Sequence, residues 1–391
     1  MDFTFSPDEE RFREELKAFL AGQLPEDWDF RDFVGEVDRT ERAELARFVN
    51  RELAQRGWLA LPWKEEFGGL GAGHLQQAIF NEESTYARMP GGGGQGVAWV
   101  GPAIQRFGSA EQQQLWLPRI AQGEDTWSTL YTEPGAGSDL ASIQTRAERQ
   151  GDEYVINGTK IFAAGAQDAN MGWLAARTDP SAPKHRGIST FVLPMDAPGV
   201  TVRPLEDMAG QGNLNEVSLE NVRIPVRNLV GTENRGWYQV AETLDLERSG
   251  IGPMAAGKRN LERLVAAARD ENSMISRNPT ARYELADRWI EMQVGYNVAY
   301  RVPLLQQDGL TPNHEASVSK LYGSELTQRI AQTGMHLLGP AGQLDGGSPY
   351  AKMGGAFSRL YLQATAATVT AGTSEVQRNL IAQKGLGLPR G

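Results

Sequence analysis

The 391-residue chain contains no cysteine. That excludes disulfides, thiolate metal sites, iron–sulfur clusters and cysteine nucleophiles together. Histidine is nearly as scarce, with four residues at 74, 185, 314 and 336 and no two at helical ligand spacing. This leaves little for a dedicated zinc site or a histidine-centred triad. Positive charge is in deficit: 39 Lys+Arg stand against 49 Asp+Glu, for a formal net charge of −10. Such a chain has no general attraction for nucleic-acid phosphate or for an anionic membrane surface. No apolar run approaches the ~20 residues of a bilayer-spanning helix. The opening segment carries Asp2, Asp8, Glu9 and Glu10 and is acidic, unlike a secretory signal or a basic transit peptide. The expectation is a soluble, cytoplasmic protein without nucleic-acid or membrane partners. Its chemistry rests on carboxylates, on backbone or on a bound organic cofactor.

What is present falls into three stretches. Residues 1–125 read helical. Phe12, Leu16, Phe19 and Leu20 share one face of a helix ending near Gly22 and Pro25. A second helix is predicted over 41–55 with Leu45, Phe48, Val49 and Leu53 inward, and a third over 74–87. Shorter helices follow at 98–107 and 110–121, the latter opened by Ser109 as N-cap. Pro90 and Gly91–Gly94 read as a flexible connection.

Residues 126–232 change to the strand period. Short apolar runs at 154–156, 160–162, 173–176, 188–193, 200–202 and 216–219 are separated by Gly151-Asp152, Asn157-Gly158, Pro198-Gly199 and Glu220-Asn221. Asn-Gly between two such runs predicts a hairpin, and the whole reads as an antiparallel β domain. Residues 233–391 return to the helical period, with long patterns over 234–269, 280–305, 313–337 and 358–384 that predict a four-helix bundle.

Two motifs fail on context. Gly91, Gly93 and Gly96 satisfy G-x-G-x-x-G but follow Met89-Pro90 rather than a strand. Gly252 to Arg259 approximates a phosphate loop, but Arg259 replaces the hydroxyl needed for magnesium. Tyr131 to Asp139 is different. Gly135 and Gly137 let backbone approach a ligand, and Thr132 and Ser138 offer hydroxyls, which suits a flat heterocycle or a pyrophosphate; an interdomain turn accounts for the composition equally well. In Leu244 to Gly250, Glu247 reads either as part of a solvated helix face or as a carboxylate in an apolar cavity, with the raised pKa of a general base. Ala371 to Arg378 shows a capping pattern, with Thr373 or Ser374 as N-cap, that also makes an anion-friendly helix start.

Taken together, these segments resemble the acyl-CoA dehydrogenase family of flavoproteins from about residue 3 to 390. Tyr131 to Asp139 is similar to the family's flavin-and-substrate loop, and Asp152 to Lys160 to its β-domain hairpin. Glu216 to Gly231 is similar to the exit from that domain, and Gly372 to Arg378 to the C-terminal flavin-binding turn. The wording of 179–187 and 385–390 is closest to actinobacterial-type members, some of which act on bulky steroid side-chain thioesters. The resemblance implies a multi-domain α+β fold: an N-terminal helical domain (1–125), a middle antiparallel β-barrel or sandwich domain (126–232) and a C-terminal four-helix bundle (233–391). It also implies non-covalent FAD, a tetramer, and α,β-dehydrogenation of an acyl-CoA, with a carboxylate taking the α-proton, a β-hydride moving to flavin N5, and an electron-transferring flavoprotein as acceptor.

Residue by residue, the resemblance sets Tyr131 and Thr132 against the flavin ring, and Gly137 and Ser138 between flavin and the CoA chain. Phe162 stands where the family usually has Trp, and Ala164 where it has a flavin-binding Thr or Ser. Thr373 and Glu375 are implied to contact FAD, His336, Gly339 and Pro340 the adenine part of a neighbouring subunit's FAD, and Arg248 and Gly372 the substrate. Many members place the base just before the C-terminal Gly-Thr, where this chain has Ala371. A minority use a Glu in a Leu-Asp-Leu-Glu-Arg setting, which Leu244 to Arg248 reproduces, so Glu247 is the implied base. The usual Arg-plus-aromatic pair for the neighbouring FAD is not recognisable in 269–280. Two alternatives follow: a subunit of a heteromeric α2β2 dehydrogenase with an incomplete FAD site, or a flavin oxidase or monooxygenase on the same scaffold.

Overall fold

A computed structural model describes residues 5–210, 212–246, 250–312 and 314–389, with the side chains of 242–246 excepted. In chain order the architecture is helical, sheet, helical. Helix α1 (Pro7–Gln23) opens with a Ser6/Glu9 capping box and buries Phe12, Leu16, Phe19 and Leu20, the face its spacing predicts. It is followed by α2 (Trp28–Val34), α3 (Arg39–Gln55) and α4 (His74–Tyr86). The inward face of α3 is narrower than expected. Val49 and Leu53 are buried, but Phe48 is 39% exposed. Gly91 to Gly94 all take positive φ, a run of left-handed backbone open to glycine. A π-turn over Gly96–Val100 leads into α5 (Gly101–Phe107), and α6 (Ala110–Ala121) starts on the predicted Ser109 cap, completed by Gln112.

The middle sheet contains β1 (Trp127–Leu130), β2 (Arg146–Gln150), β3 (Glu153–Ala164), β4 (Met171–Arg177), β5 (Ile188–Pro194), β6 (Val200–Leu205), β7 (Leu214–Pro225) and β8 (Leu229–Val230). Its order is β6-β7-β3-β2-β4-β5-β8, with β1 on β4. The sheet is mixed, not antiparallel throughout, because β4 pairs parallel with both β1 and β2. Asn157-Gly158 is not a hairpin turn. It lies inside β3, opposite a bulge in β7: the register slips between Ile156 and Gly158, so that Asn157 alone faces Glu220 and Asn221, the latter at φ +52°. The predicted turn at Glu220-Asn221 is absent because these two residues form that bulge within a continuous β7. The Asn221 N–H donates to Asn157 Oδ1 at 2.8 Å, restoring a ladder contact that the bulge removes. The hairpin itself turns at Gly151-Asp152, between β2 and β3.

The 234–269 pattern divides into α7 (Gly236–Leu246) and α8 (Ile251–Arg269). Gly250 breaks it with φ +70°, and a Cβ there would stand 2.1 Å from Ser319 Oγ. Helices α9 (Ala281–Gln307), α10 (His314–Leu338) and α11 (Ala356–Ala367) complete the four long helices with α8. The 358–384 pattern ends early for one helix, and α12 (Ser374–Leu380) begins separately on Thr373.

The chain divides into two compact units, one of Met1–Ala46, Ala72–Pro90 and Arg248–Gly391, the other of Arg47–Gly71 and Gly91–Glu247. The core of the first joins Ile251, Met254, Leu261 and Leu264 of α8 to Leu326, Ile330 and Leu337 of α10. In the second, Trp63, Ile104, Trp116, Ile120, Trp173 and Val192 form one cluster, and Tyr154, Phe191, Leu193 and Val217 another within the sheet. No helix among the described residues is long and apolar enough to cross a membrane.

Candidate active site

The loop 131–139 is built from beneath. Lys160 sits mid-strand in β3 with its side chain fully out of solvent. An ammonium there must be paired or lose its charge. Its Nζ donates to Glu133 Oε1 at 2.8 Å and to the Tyr131 carbonyl at 3.0 Å. Glu133 accepts in addition from the N–H groups of Thr145 at 2.9 Å and Gln144 at 2.5 Å. Burial pushes the Lys160 ammonium down to about 8, opposed by Glu133. Burial pushes the Glu133 carboxyl up, but Lys160, Thr145 and Gln144 outweigh it and hold it below its ordinary range.

With Glu133 anchored, its backbone exchanges two 3.0 Å hydrogen bonds with Ala136, closing a tight turn. Ile161 N–H donates to the Thr132 carbonyl at 2.9 Å, tying the loop to β3 one residue before Phe162. On the outer side, a Cβ on Gly135 would meet nothing within 4 Å, and one on Gly137 only Thr132 Cγ2 at 4.0 Å. Gly137 and Ser138 are exposed, Thr132 half-buried and Tyr131 buried. Asp139 is held by Lys184 at 2.9 Å and by the Ser142 hydroxyl at 2.6 Å, and the Ser142 bond, then Lys184, lowers its pKa.

Phe162 takes φ +59°, unusual for a bulky residue, and its side chain is 57% exposed. Phe162 lies in a β-bulge of β3 between Lys160 and Ala163, which sets its backbone and turns its phenyl out of the core. Two residues on, the Ala164 carbonyl accepts from Ser128 Oγ at 3.0 Å and Gln95 Nε2 at 3.2 Å. Tyr131, Thr132, Gly137, Ser138, Phe162 and Ala164 are thus gathered by one loop and one strand end.

The C-terminal turn belongs to the other unit. Thr373 caps α12, its hydroxyl oxygen accepting from Val376 N–H at 3.2 Å. Lys320 Nζ donates to the Gly372 carbonyl at 2.7 Å. Glu375 is exposed, and its own backbone N–H and then the Thr373 hydroxyl lower its pKa. Ala371, at φ +52°, carries only a methyl group. His336 lies at the far end of α10, its Nδ1 2.9 Å from Glu284 Oε2, ahead of the 3₁₀ turn that holds Gly339 and Pro340. Lys320 and His336 are 16 residues apart on α10, so their backbones stand about 24 Å apart along the axis. Near the second set, Arg269, Ile275, Arg282 and Trp289 line a cavity of about 700 Å³. Glu247 and Arg248 lie outside the described residues.

Sequence reasoning did not single out the Lys160–Glu133 pair or Gln95. A lysine inside an otherwise apolar strand run was the signal for the first; the second left none.

The open glycine loop and the exposed aromatic beside it fit a flat heterocycle. Comparison with known proteins identifies the family. Family models for the acyl-CoA dehydrogenase N-terminal, middle and C-terminal domains match residues 6–124, 128–222 and 234–386. The acyl-CoA dehydrogenase FadE26 of Mycobacterium tuberculosis is 34% identical over 409 residues, covering 100% of this chain and 99% of that protein. Acyl-CoA dehydrogenase IpdE1 of the same organism is 33% identical, covering 98% of each. Among solved structures, the Tcur3481-Tcur3483 steroid ACAD superposes with a TM-score of 0.89 at 35% identity over 100% of both chains. The ChsE4-ChsE5 complex from Mycobacterium tuberculosis gives 0.87 at 33% identity, again over 100% of both chains. The chain belongs to the acyl-CoA dehydrogenase family, whose members are flavoprotein oxidoreductases.

Proposed function

We propose that this chain is an FAD-dependent dehydrogenase that places a double bond between the α and β carbons of an acyl-CoA thioester. The observation that carries the reading is Phe162, a phenyl held out of the core at positive φ beside the Thr132 loop. FAD, when bound, supplies the two-electron acceptor for the hydride leaving the β-carbon. Tyr131, Thr132, Phe162 and the backbone at Ala164 are assigned to the flavin, with Gly137 and Ser138 toward the CoA chain. Thr373 and Glu375 are assigned to the same cofactor. His336, Gly339 and Pro340 are assigned to the adenine part of a neighbouring subunit's FAD, and their 24 Å distance (approximate) from the Lys320 end of α10 supports keeping the two sets apart.

Glu247 is assigned the α-proton, since Ala371 has no group to take it. A thioester α-proton is far too weak an acid for an ordinary carboxylate, so the base needs poorly hydrated surroundings and the thioester oxygen needs hydrogen bonds. Arg248 and Gly372 are assigned to the substrate. A bulky, steroid-type acyl group is the first to try, because the Tcur3481-Tcur3483 relative is described as a steroid ACAD. An electron-transferring flavoprotein is the proposed acceptor, and the cytoplasm the proposed compartment.

The test is purification followed by anaerobic titration with short, branched, long and steroidal acyl-CoA thioesters. A yellow protein bleached by one class supports the reading; a yellow protein bleached by none overturns it. Rapid reoxidation by oxygen with turnover would instead mark a flavin oxidase. A second reading has its own support: relatives include the ChsE4-ChsE5 complex, and 269–280 lacks the usual Arg–aromatic pair. On that reading the chain is one half of an α2β2 assembly rather than a homotetramer, and it gains flavin only when co-expressed with a homologue.

A further inference from the structure

The strand end that carries Phe162 and the strand that leads into Thr132 are bridged by a side chain from a third segment. Gln95 Oε1 accepts from the Thr129 N–H at 2.5 Å, and Gln95 Nε2 donates to the Ala164 carbonyl at 3.2 Å. Its carboxamide thus acts as an inserted peptide unit, with one acceptor and one donor stitching β1 to the end of β3. Thr129 is three residues before Thr132, and Ala164 two residues after Phe162.

The need for such a brace is visible in the backbone. Phe162 at φ +59° persists only if its surroundings hold it. On the N-terminal side Ile161 N–H is fixed on the Thr132 carbonyl at 2.9 Å. On the C-terminal side Asn215 Nδ2 holds the Ala163 carbonyl at 2.9 Å, and Ser128 Oγ joins Gln95 on that of Ala164. Ser128 reaches Ala164 from within β1, whereas the Gln95 amide comes from a third segment and bonds the backbones of both strands. Gln95 is itself placed by the left-handed glycine turns ahead of it: a Cβ on Gly93 would stand 2.1 Å from Val97 Cγ2.

We propose that Gln95 is a positioning residue that sets the spacing between the Thr132 loop and the Phe162 ring, and through it the fit and electronic environment of the flavin. The proposal rests on the flavin reading given above. Gln95→Leu keeps the volume and removes both hydrogen bonds. Gln95→Glu keeps the acceptor for Thr129 but turns a carboxylate oxygen toward the Ala164 carbonyl.

Three quantities are measured on the purified protein: FAD dissociation constant, shape of the visible flavin absorption band, and melting temperature of the flavin-free form. The Leu variant is expected to bind FAD about tenfold more weakly, with an altered band, while its flavin-free melting temperature falls only by the few degrees that an unpaired Thr129 N–H costs. The Glu variant is expected to bind equally poorly at about pH 8 and to recover by about pH 6, as its crowded carboxyl takes up a proton and donates again. A Leu variant with wild-type FAD affinity and band overturns the proposal while leaving the flavin reading intact. So does a flavin-free melting temperature that falls in step with affinity, since Gln95 would then serve the fold alone. A Glu variant whose affinity does not respond to pH also counts against it. A wild-type chain that takes up no FAD sinks the flavin reading and this proposal with it.

Discussion

Lys160 and Glu133 form a 2.8 Å ion pair in which the lysine side chain is wholly buried and the carboxylate nearly so. The lysine comes from the middle of a strand and the carboxylate from the loop laid over it. The pair therefore works as a fastener: the Lys160 ammonium also holds the Tyr131 carbonyl, and Glu133 collects two backbone N–H groups from 144 and 145. The open outer face of Thr132 to Ser138 stands on this buried base.

Removing the lysine leaves a buried carboxylate without its countercharge. Lys160→Met is accordingly expected to cost about 3 kcal/mol or more of unfolding free energy, and to loosen the Tyr131–Ser138 loop before the rest of the unit. Urea titration of the flavin-free protein gives the first number. Amide hydrogen exchange, faster at 131–138 than in β4 and β5, gives the second. An unchanged urea midpoint would mean that the pair is energetically neutral and the loop is held elsewhere.

The pH dependence follows from the same two groups. Glu133 is held below its ordinary value of 4.5 in the folded protein, so the unfolded chain binds its proton more readily. Its stabilisation is complete above that ordinary value and is lost as the pH falls through the folded one. Lys160 falls from 10.5 to about 8 on folding, so it contributes a rise in stability as pH increases across that window. Melting temperatures of wild type and Glu133→Gln should therefore be furthest apart near neutrality and converge below about pH 4.5. A gap that stays constant into acid would show that Glu133 does not carry the effect.

How much of this was legible depends on the range of the interaction. The α1 face, the Ser109 box and the Thr373 cap are local devices spaced three or four residues apart, and each stands where its spacing puts it. Asn157-Gly158 misled because β3 runs straight through the pair; the left-handed residue is Asn221, far along the chain, in the β7 bulge opposite it. At Gly250 a side chain would strike Ser319 on another helix, a constraint that no local periodicity reveals. At the site, the 131–139 loop was readable as composition. Its fastening by Lys160, and the bridge from Gln95, join residues 27 to 69 positions apart and leave no periodic trace.

Phe162 offers a test with effects of opposite sign. Holding a bulky residue in the left-handed region costs about 1–2 kcal/mol, and this ring is too exposed to return much of that through packing. Phe162→Gly is expected to raise the stability of the flavin-free protein by about 1 kcal/mol while weakening FAD binding by about tenfold through the lost aromatic face. A fall in both would place the ring in the fold rather than in the cofactor wall.

The base assignment turns on a charge that can be removed without changing shape. Glu247→Gln keeps volume and hydrogen-bonding capacity but cannot accept the α-proton at neutral pH. If Glu247 is the base, the variant should purify with its FAD and bind acyl-CoA with near-wild-type affinity, because neither step uses the proton. Flavin bleaching by substrate should slow by at least about 10²-fold, the lower bound for losing a general base, with kcat reduced and KM little changed. Ala371 offers no substitute group, so nothing at the C-terminal turn should rescue the rate. Stopped-flow absorbance under anaerobic conditions separates the steps: an immediate spectral perturbation on mixing reports binding, and the slow loss of the oxidised band reports proton removal. Bleaching at the wild-type rate would move the base to another carboxylate while leaving the family membership untouched.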